Sequence, residues 1–182
     1  MDKEKEFELV KKFIQGDESA FNKLIHYYKK LIYWHTRRMV GNHLDADEVT
    51  QQVIIVLYKK LNTFKFNSTL KTWIYKITQT RCLNLIKKQR VRQFFNFDDT
   101  NTRELKSAED IILNYDDKEK LEMVNNALNK LPIKQREVFI FRHFDELNYE
   151  EISDITGKSV GGLKANYYHA SKKILEMIHY ET

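Results

Sequence analysis

The sequence predicts an all-α protein, with two small helical domains joined by a linker, the C-terminal one a helix-turn-helix. Three observations support this. One proline and five glycines in 182 residues supply too few turn residues for a sheet. Apolar residues recur at i, i+3, i+4 and i+7 through most of the chain, the spacing of amphipathic helices. That pattern lapses once, in a polar acidic stretch containing FDDTNTRELKSAED. The expected division is therefore 1–92, a linker over 93–117, and 118–182.

The first helix is expected from about Lys3 to Gln15, with Phe7, Val10 and Ile14 on its buried face. Gly16 ends it, and Asp17 caps a second helix whose stripe is Phe21, Leu24, Ile25, Tyr28, Leu31 and Ile32. Gly41-Asn42 is the next stop. DADE then predicts a third helix with Asp45 as N-cap and Glu48 as capping-box partner, burying Val49, Val53, Val56 and Leu57. After TFKFNST, the fourth helix buries Leu70, Ile74 and Ile77, while Trp73, Lys76, Thr80, Asn84 and Lys87 line another face. In the second unit, Leu121, Val124, Leu128 and Leu131 share a stripe, and Pro132 sits where a missing N–H costs nothing. Asn148 and Glu151 form a capping box, with Leu147 on Ile152 as a hydrophobic staple. Gly157 ends that helix, and Ser159 caps the last one.

Charge is distributed unevenly. The net value is +5, yet residues 1–90 carry 18 Lys and Arg against 9 Asp and Glu. No acid lies between Glu48 and Asp98, an interval with ten basic residues. A solvated helix face normally mixes signs, so a polyanionic partner is the better explanation. One cysteine, Cys82, cannot close an intramolecular disulfide. With no apolar run of membrane-spanning length and a highly charged N-terminus, a cytoplasmic protein is expected. No catalytic, metal or cofactor constellation is present, so none is expected to act.

Two capped helices joined by GKS match a helix-turn-helix, whose second helix enters the major groove. Gly161 and Gly162 fall in its first turn, where backbone N–H groups lack intrahelical partners and can approach a phosphate. Lys164 and Asn166 are the candidate base readers, and Tyr168, His169, Lys172 and Lys173 complete the candidate DNA face. A stand-alone transcriptional regulator shares such a motif, but its symmetric dimer would not require a basic, acid-free N-terminal unit.

Three stretches in this order, DADEVTQQVIIVLYKKLNTF, FNSTLKTWIYKITQTRCLNLIKKQR and LPIKQREVFIFRHFDELNYEEISDITGKSVGGLKANYYHASKKIL, resemble the extracytoplasmic-function (ECF) sigma factors of bacterial RNA polymerase. The resemblance implies a non-catalytic specificity subunit with core RNA polymerase, promoter DNA and an anti-sigma factor as partners. It implies that Asp47, Glu48, Gln51 and Gln52 contact the polymerase clamp, Gln52 standing where the family usually has Glu. It implies that Asn67, Ser68, Thr69 and Lys71 form the loop that captures an unstacked base of the −10 element. Trp73 would be a wedge beside the strand junction or a core anchor. Lys76, Arg81, Lys87, Lys88 and Arg90 would supply the positive field along the DNA backbone, while Thr80 and Asn84 stand at −10-reading positions where the family often has Asn and Asp. For the −35 element it implies Ser159, Gly161, Gly162, Lys164, Ala165, Asn166, Tyr168, His169 and Lys172. There Ala165-Asn166 replaces a common Ser-Arg pair, and Gly162 a usual Thr or Ala.

Overall fold

Short polar side chains open the helices. In the computed structural model, which describes residues 1–95 and 115–180, Asp2 accepts from the Lys5 N–H and starts α1 (Lys3–Ile14). Asp17 does the same for α2 (Glu18–Val40), which Gly41 ends at φ 89°. Helix α3 (His43–Lys60) begins one turn earlier than DADE suggested. Its N-cap is Asn42, whose Oδ1 accepts from the Asp45 N–H at 2.9 Å. Asn42 directly follows the left-handed Gly41, so the chain reverses and recaps with no loop between. A short 3-10 turn (Leu61–Thr63) leads to the 64–69 loop and α4 (Leu70–Phe95), capped by Thr69 Oγ1 on the Thr72 N–H at 3.1 Å. Residues 96–114 of the expected linker lie outside the described residues.

The C-terminal half comprises α5 (Tyr115–Lys130), α6 (Ile133–Phe139), a π-helical turn (Ile140–Phe144), α7 (Tyr149–Thr156) and α8 (Val160–Tyr180). Asn148 and Glu151 form the full capping box expected of them, and Gly157 closes α7 at φ 70°. All described elements are helical, as the sequence predicts.

Helix α2 is the hub, packing on α1, α3 and α4, while α8 packs on α6 and α7. Val10, Ile32, Met39, Val49 and Val53 are fully buried, each stabilising the fold by about 1.5–3 kcal/mol through lost apolar exposure. The face of α1 departs from expectation in part: Val10 is buried as expected, but its buried neighbours are Glu6 and Leu9, whereas Phe7 and Ile14 are half exposed. The helix is rotated because Glu6 has a buried partner, the Tyr28 hydroxyl, which donates to its Oε1.

The two halves share core. Leu128, Leu131, Phe139, Ile140 and Ala170 join the cluster built by α1–α4. Reciprocally, Tyr75 of α4 is buried among Val138, Phe141, Leu147, Ile152, Ile155 and Leu163. Gly41 marks a close approach between them. A Cβ there would lie 2.4 Å from Asn129 Oδ1, in addition to the strain of its positive φ.

Candidate nucleic-acid interface

The α3 face is solvent-exposed around Glu48 and Gln51, with Asp47 and Gln52 half buried. Because the helix starts at His43, Asp47 and Glu48 lie in its second turn, beyond the strongest reach of the N-terminal dipole. Asp47 Oδ2 pairs with His43 Nε2 at 3.1 Å. Gln52 Nε2 donates to Glu48 Oε1 at 3.0 Å, so glutamine at this position turns a repelling i,i+4 carboxylate pair into a hydrogen-bonded one. Two apolar side chains flank these polar groups, Leu44 and Ile55, each 53% exposed. With Glu48 and Gln51 they recur at helical spacing, an apolar–polar–apolar stripe unclaimed by the protein's own core. Pattern reasoning missed both because a single exposed Leu or Ile is ordinary.

The 64–69 loop, with Leu70 at the start of α4, forms one wall of an open cleft of about 450 Å³, and α1 forms the other. Asn67, Ser68 and Thr69 line it together with Lys3, Glu6, Phe7 and Phe66. Lys71 does not, since its ammonium lies 5.8 Å over the Tyr75 ring. Phe66 sits at φ 58°, a left-handed conformation that costs a bulky residue roughly 1–3 kcal/mol. Its ring centroid is 4.8 Å from Phe7 and 4.7 Å from Phe64, and both Phe7 and Phe66 remain over 40% exposed. Trp73 is half buried against the core, 5.2 Å from Phe64.

Along α4, Lys76, Thr80, Asn84, Lys87 and Lys88 are exposed and Arg81 is half exposed. Spacings of four and three residues keep the first four on one face. The opposite face is occupied: Thr78 and Gln79 are buried, and Cys82 is fully so. Burial pushes the Cys82 thiol up to about 12, which fits a packing residue.

At the other end of the chain, Ser159, Gly161, Gly162, Lys164, Ala165, Tyr168, His169 and Lys172 are all exposed, with Asn166 half exposed. Ser159 Oγ accepts from the Gly162 N–H at 3.3 Å, and a Cβ on Gly162 would come within 3.1 Å of that oxygen. The second glycine therefore makes room for the cap, whereas a Cβ at Gly161 would meet nothing. Asn166 Nδ2 donates back to Gly162 O at 2.7 Å, and the Lys164 ammonium lies 5.7 Å over Tyr149.

Two family models match this chain, sigma-70 region 2 over residues 24–92 and sigma-70 region 4 over residues 121–174. The chain is 27% identical over 176 residues to the ECF RNA polymerase sigma factor SigW of Bacillus subtilis, across 93% of this chain and 94% of that one. It is 30% identical over 133 residues to RNA polymerase sigma factor SigV of the same organism, across 73% and 75% of the two chains. The chain is an ECF sigma factor of the sigma-70 family. Sigma factors direct RNA polymerase to promoters. The backbone of this sigma factor is similar to that of RpoE from Bartonella quintana, solved in complex with the anti-sigma factor NepR. The TM-score is 0.73 at 20% identity, over 89% of this chain and 98% of that chain.

The sigma factor holds its two matched regions together by a buried polar clasp that its sequence did not reveal. His35 of α2, fully buried, contacts Asp145 Oδ2 through Nδ1 at 2.6 Å and Gln79 Oε1 through Nε2 at 3.2 Å. Gln79 Nε2 in turn donates to Glu137 Oε1 at 2.6 Å, and the Lys158 ammonium closes the chain on Glu137 Oε2. Burial, and then the Asp145 carboxylate, raise the Tyr75 phenol well above the usual tyrosine range. The Arg136 guanidinium donates to Met39 O at 2.9 Å and Asn129 O at 2.7 Å, so one cation serves the C-terminal carbonyls of two helices, α2 and α5. His35 and Gln79 read as surface or linking residues in isolation. Only packing of α4 and the π-helical turn against α2, and of α4 against α7, brings the five together.

Proposed function

We propose that this sigma factor divides promoter recognition among three surfaces. The α3 stripe, with Asp47, Glu48, Gln51 and Gln52 between Leu44 and Ile55, binds core RNA polymerase. The 67–69 loop and the exposed cationic face of α4 hold the opened −10 element. The N-terminal turns of α8 read duplex DNA at the −35 element. The observation that carries this reading is the α4 face. Lys76, Thr80, Asn84 and Lys87 form an exposed line without a single acid, leading away from a cleft of about 450 Å³. Cations in register can track a phosphate backbone, and a cleft at their end can take an unstacked base.

In this reading the protein supplies specificity and the polymerase performs the chemistry. Its place is the cytoplasm, its regions fall at 1–92 and 118–182 with a linker between, and an anti-sigma factor restrains it. The solved complex of RpoE with NepR supports the last of these. The decisive experiment is transcription from a promoter library by purified core polymerase, with and without the protein. New starts sharing upstream and downstream motifs are expected. Lys164→Ala is expected to weaken −35 discrimination and leave core binding intact; equal loss of both contradicts the division of labour.

A further inference from the structure

The cleft beside the 67–69 loop is walled on its far side by α1, a helix that carries no part of the expected DNA-binding set. Glu6 lines this cleft although the residue is only 9% exposed. The Tyr28 hydroxyl donates to Glu6 Oε1, which anchors the carboxylate. No other described side chain bonds to it. A carboxylate only accepts hydrogen bonds. Lys3, also lining the cleft, brings donors to the same space. The remaining wall is aromatic: Phe7 and the left-handed Phe66 meet at 4.8 Å with planes inclined by 55°. A strained bulky residue persists only where its surroundings over-determine it, and such residues cluster at ligand sites.

We propose that Glu6 is the specificity-determining residue of this cleft, admitting a base with an exocyclic amino group and rejecting thymine, while Phe7 and Phe66 supply the stacking surface. The inference rests on the proposed capture of an unstacked promoter base. Cytosine N4 and adenine N6 are amino donors of the kind a glutamate accepts; guanine carries its amino group at N2. Thymine has no exocyclic amino group, and its one donor, the ring N3–H, lies between two carbonyl oxygens. Seated with its exocyclic position against Glu6, its O4 would face the carboxylate acceptor to acceptor. Lys3 complements this, because the ring edge beside each amino group carries an acceptor or lies near one. Stacking is indifferent to base identity, so Phe7 and Phe66 set affinity and Glu6 sets choice.

The test uses holoenzyme reconstituted from full-length protein and core polymerase, on a promoter recovered from the library. Each melted non-template position carries each of the four bases in turn, and binding and open-complex formation are measured. At one position the wild type is expected to disfavour thymine by roughly tenfold or more, a typical cost of one wrong base. Glu6→Gln keeps an acceptor for Tyr28 and adds a donor, so it is expected to abolish the discrimination there and leave other positions unchanged. Phe66→Gly removes the positive-φ strain, so the protein stays folded. It is expected to weaken binding of all four bases at that position by roughly tenfold with their ratios preserved. If Glu6→Gln opens promoters with unchanged base preference at every position, the assignment of Glu6 is overturned. If the wild-type holoenzyme opens no promoter, base capture itself fails, and the inference with it.

Discussion

Replacing Asp145 with alanine tests whether the buried clasp holds the two halves together. The carboxylate is 6% exposed and accepts from a histidine that is 0% exposed. Its removal strands the His35 Nδ1 group in the core. Leaving a buried hydrogen-bonding group without its partner costs about 1–3 kcal/mol, because the survivor stays desolvated. For a chain of this size each kcal/mol lowers Tm by ~2–4 °C, so a drop of roughly 5 °C is expected. Because Asp145 belongs to one half and His35 to the other, part of the loss should appear as separation. Small-angle scattering should report an increased radius of gyration before either half unfolds. Asp145→Asn, which retains an acceptor, should lose markedly less. Urea denaturation showing that Asp145→Ala costs under about 1 kcal/mol, with unchanged dimensions, would refute the clasp as a source of stability.

Asn148→Ala removes the Oδ1 acceptor that caps α7 while keeping the backbone N–H that donates to Glu151, and is expected to cost about 1 kcal/mol in denaturant unfolding. Leu44→Asp and Ile55→Asp alter exposed positions, so Tm should hold within about 2 °C while affinity for core polymerase falls roughly tenfold or more, read by fluorescence anisotropy. Lys87→Ala should weaken promoter binding across sequences and reduce the salt slope by about 1. The Cys82 thiol should resist alkylation in the native protein at pH 8. Its ordinary value of 9.0 is raised by burial to about 12, so its stabilising contribution is complete below 9.0 and lost as pH rises toward 12. Cys82→Ala should flatten that alkaline decline in stability.

The helices were legible because their signals are local. Asn148 and Glu151 are three residues apart, Gly157 and Gly41 end helices with their own φ, and the stripe from Phe21 to Ile32 lies within one helix. Where local signals competed, reading them alone failed. Asp45 and Glu48 make a plausible cap, but Asn42, next to the turn glycine, caps first. Phe7 outranks Glu6 on any hydrophobic scale, yet Glu6 faces inward because Tyr28, 22 residues away, offers a proton. No window of sequence contains that pairing.

The candidate site divides the same way. The acid-free run of lysines and arginines is a property of the chain, and α4 carries it to solvent whatever the helix packs against. That Glu6, Phe7 and Phe66 share a cleft with Asn67, and that His35 meets Asp145 across 110 residues, depends on how helices pack. Sequence alone determined the helical class, the helix-turn-helix and the basic field, since propensity, capping and charge act within a few residues. Tertiary structure decided the inward face of α1, the pocket wall and the clasp, because a buried polar group goes where a distant partner can satisfy it.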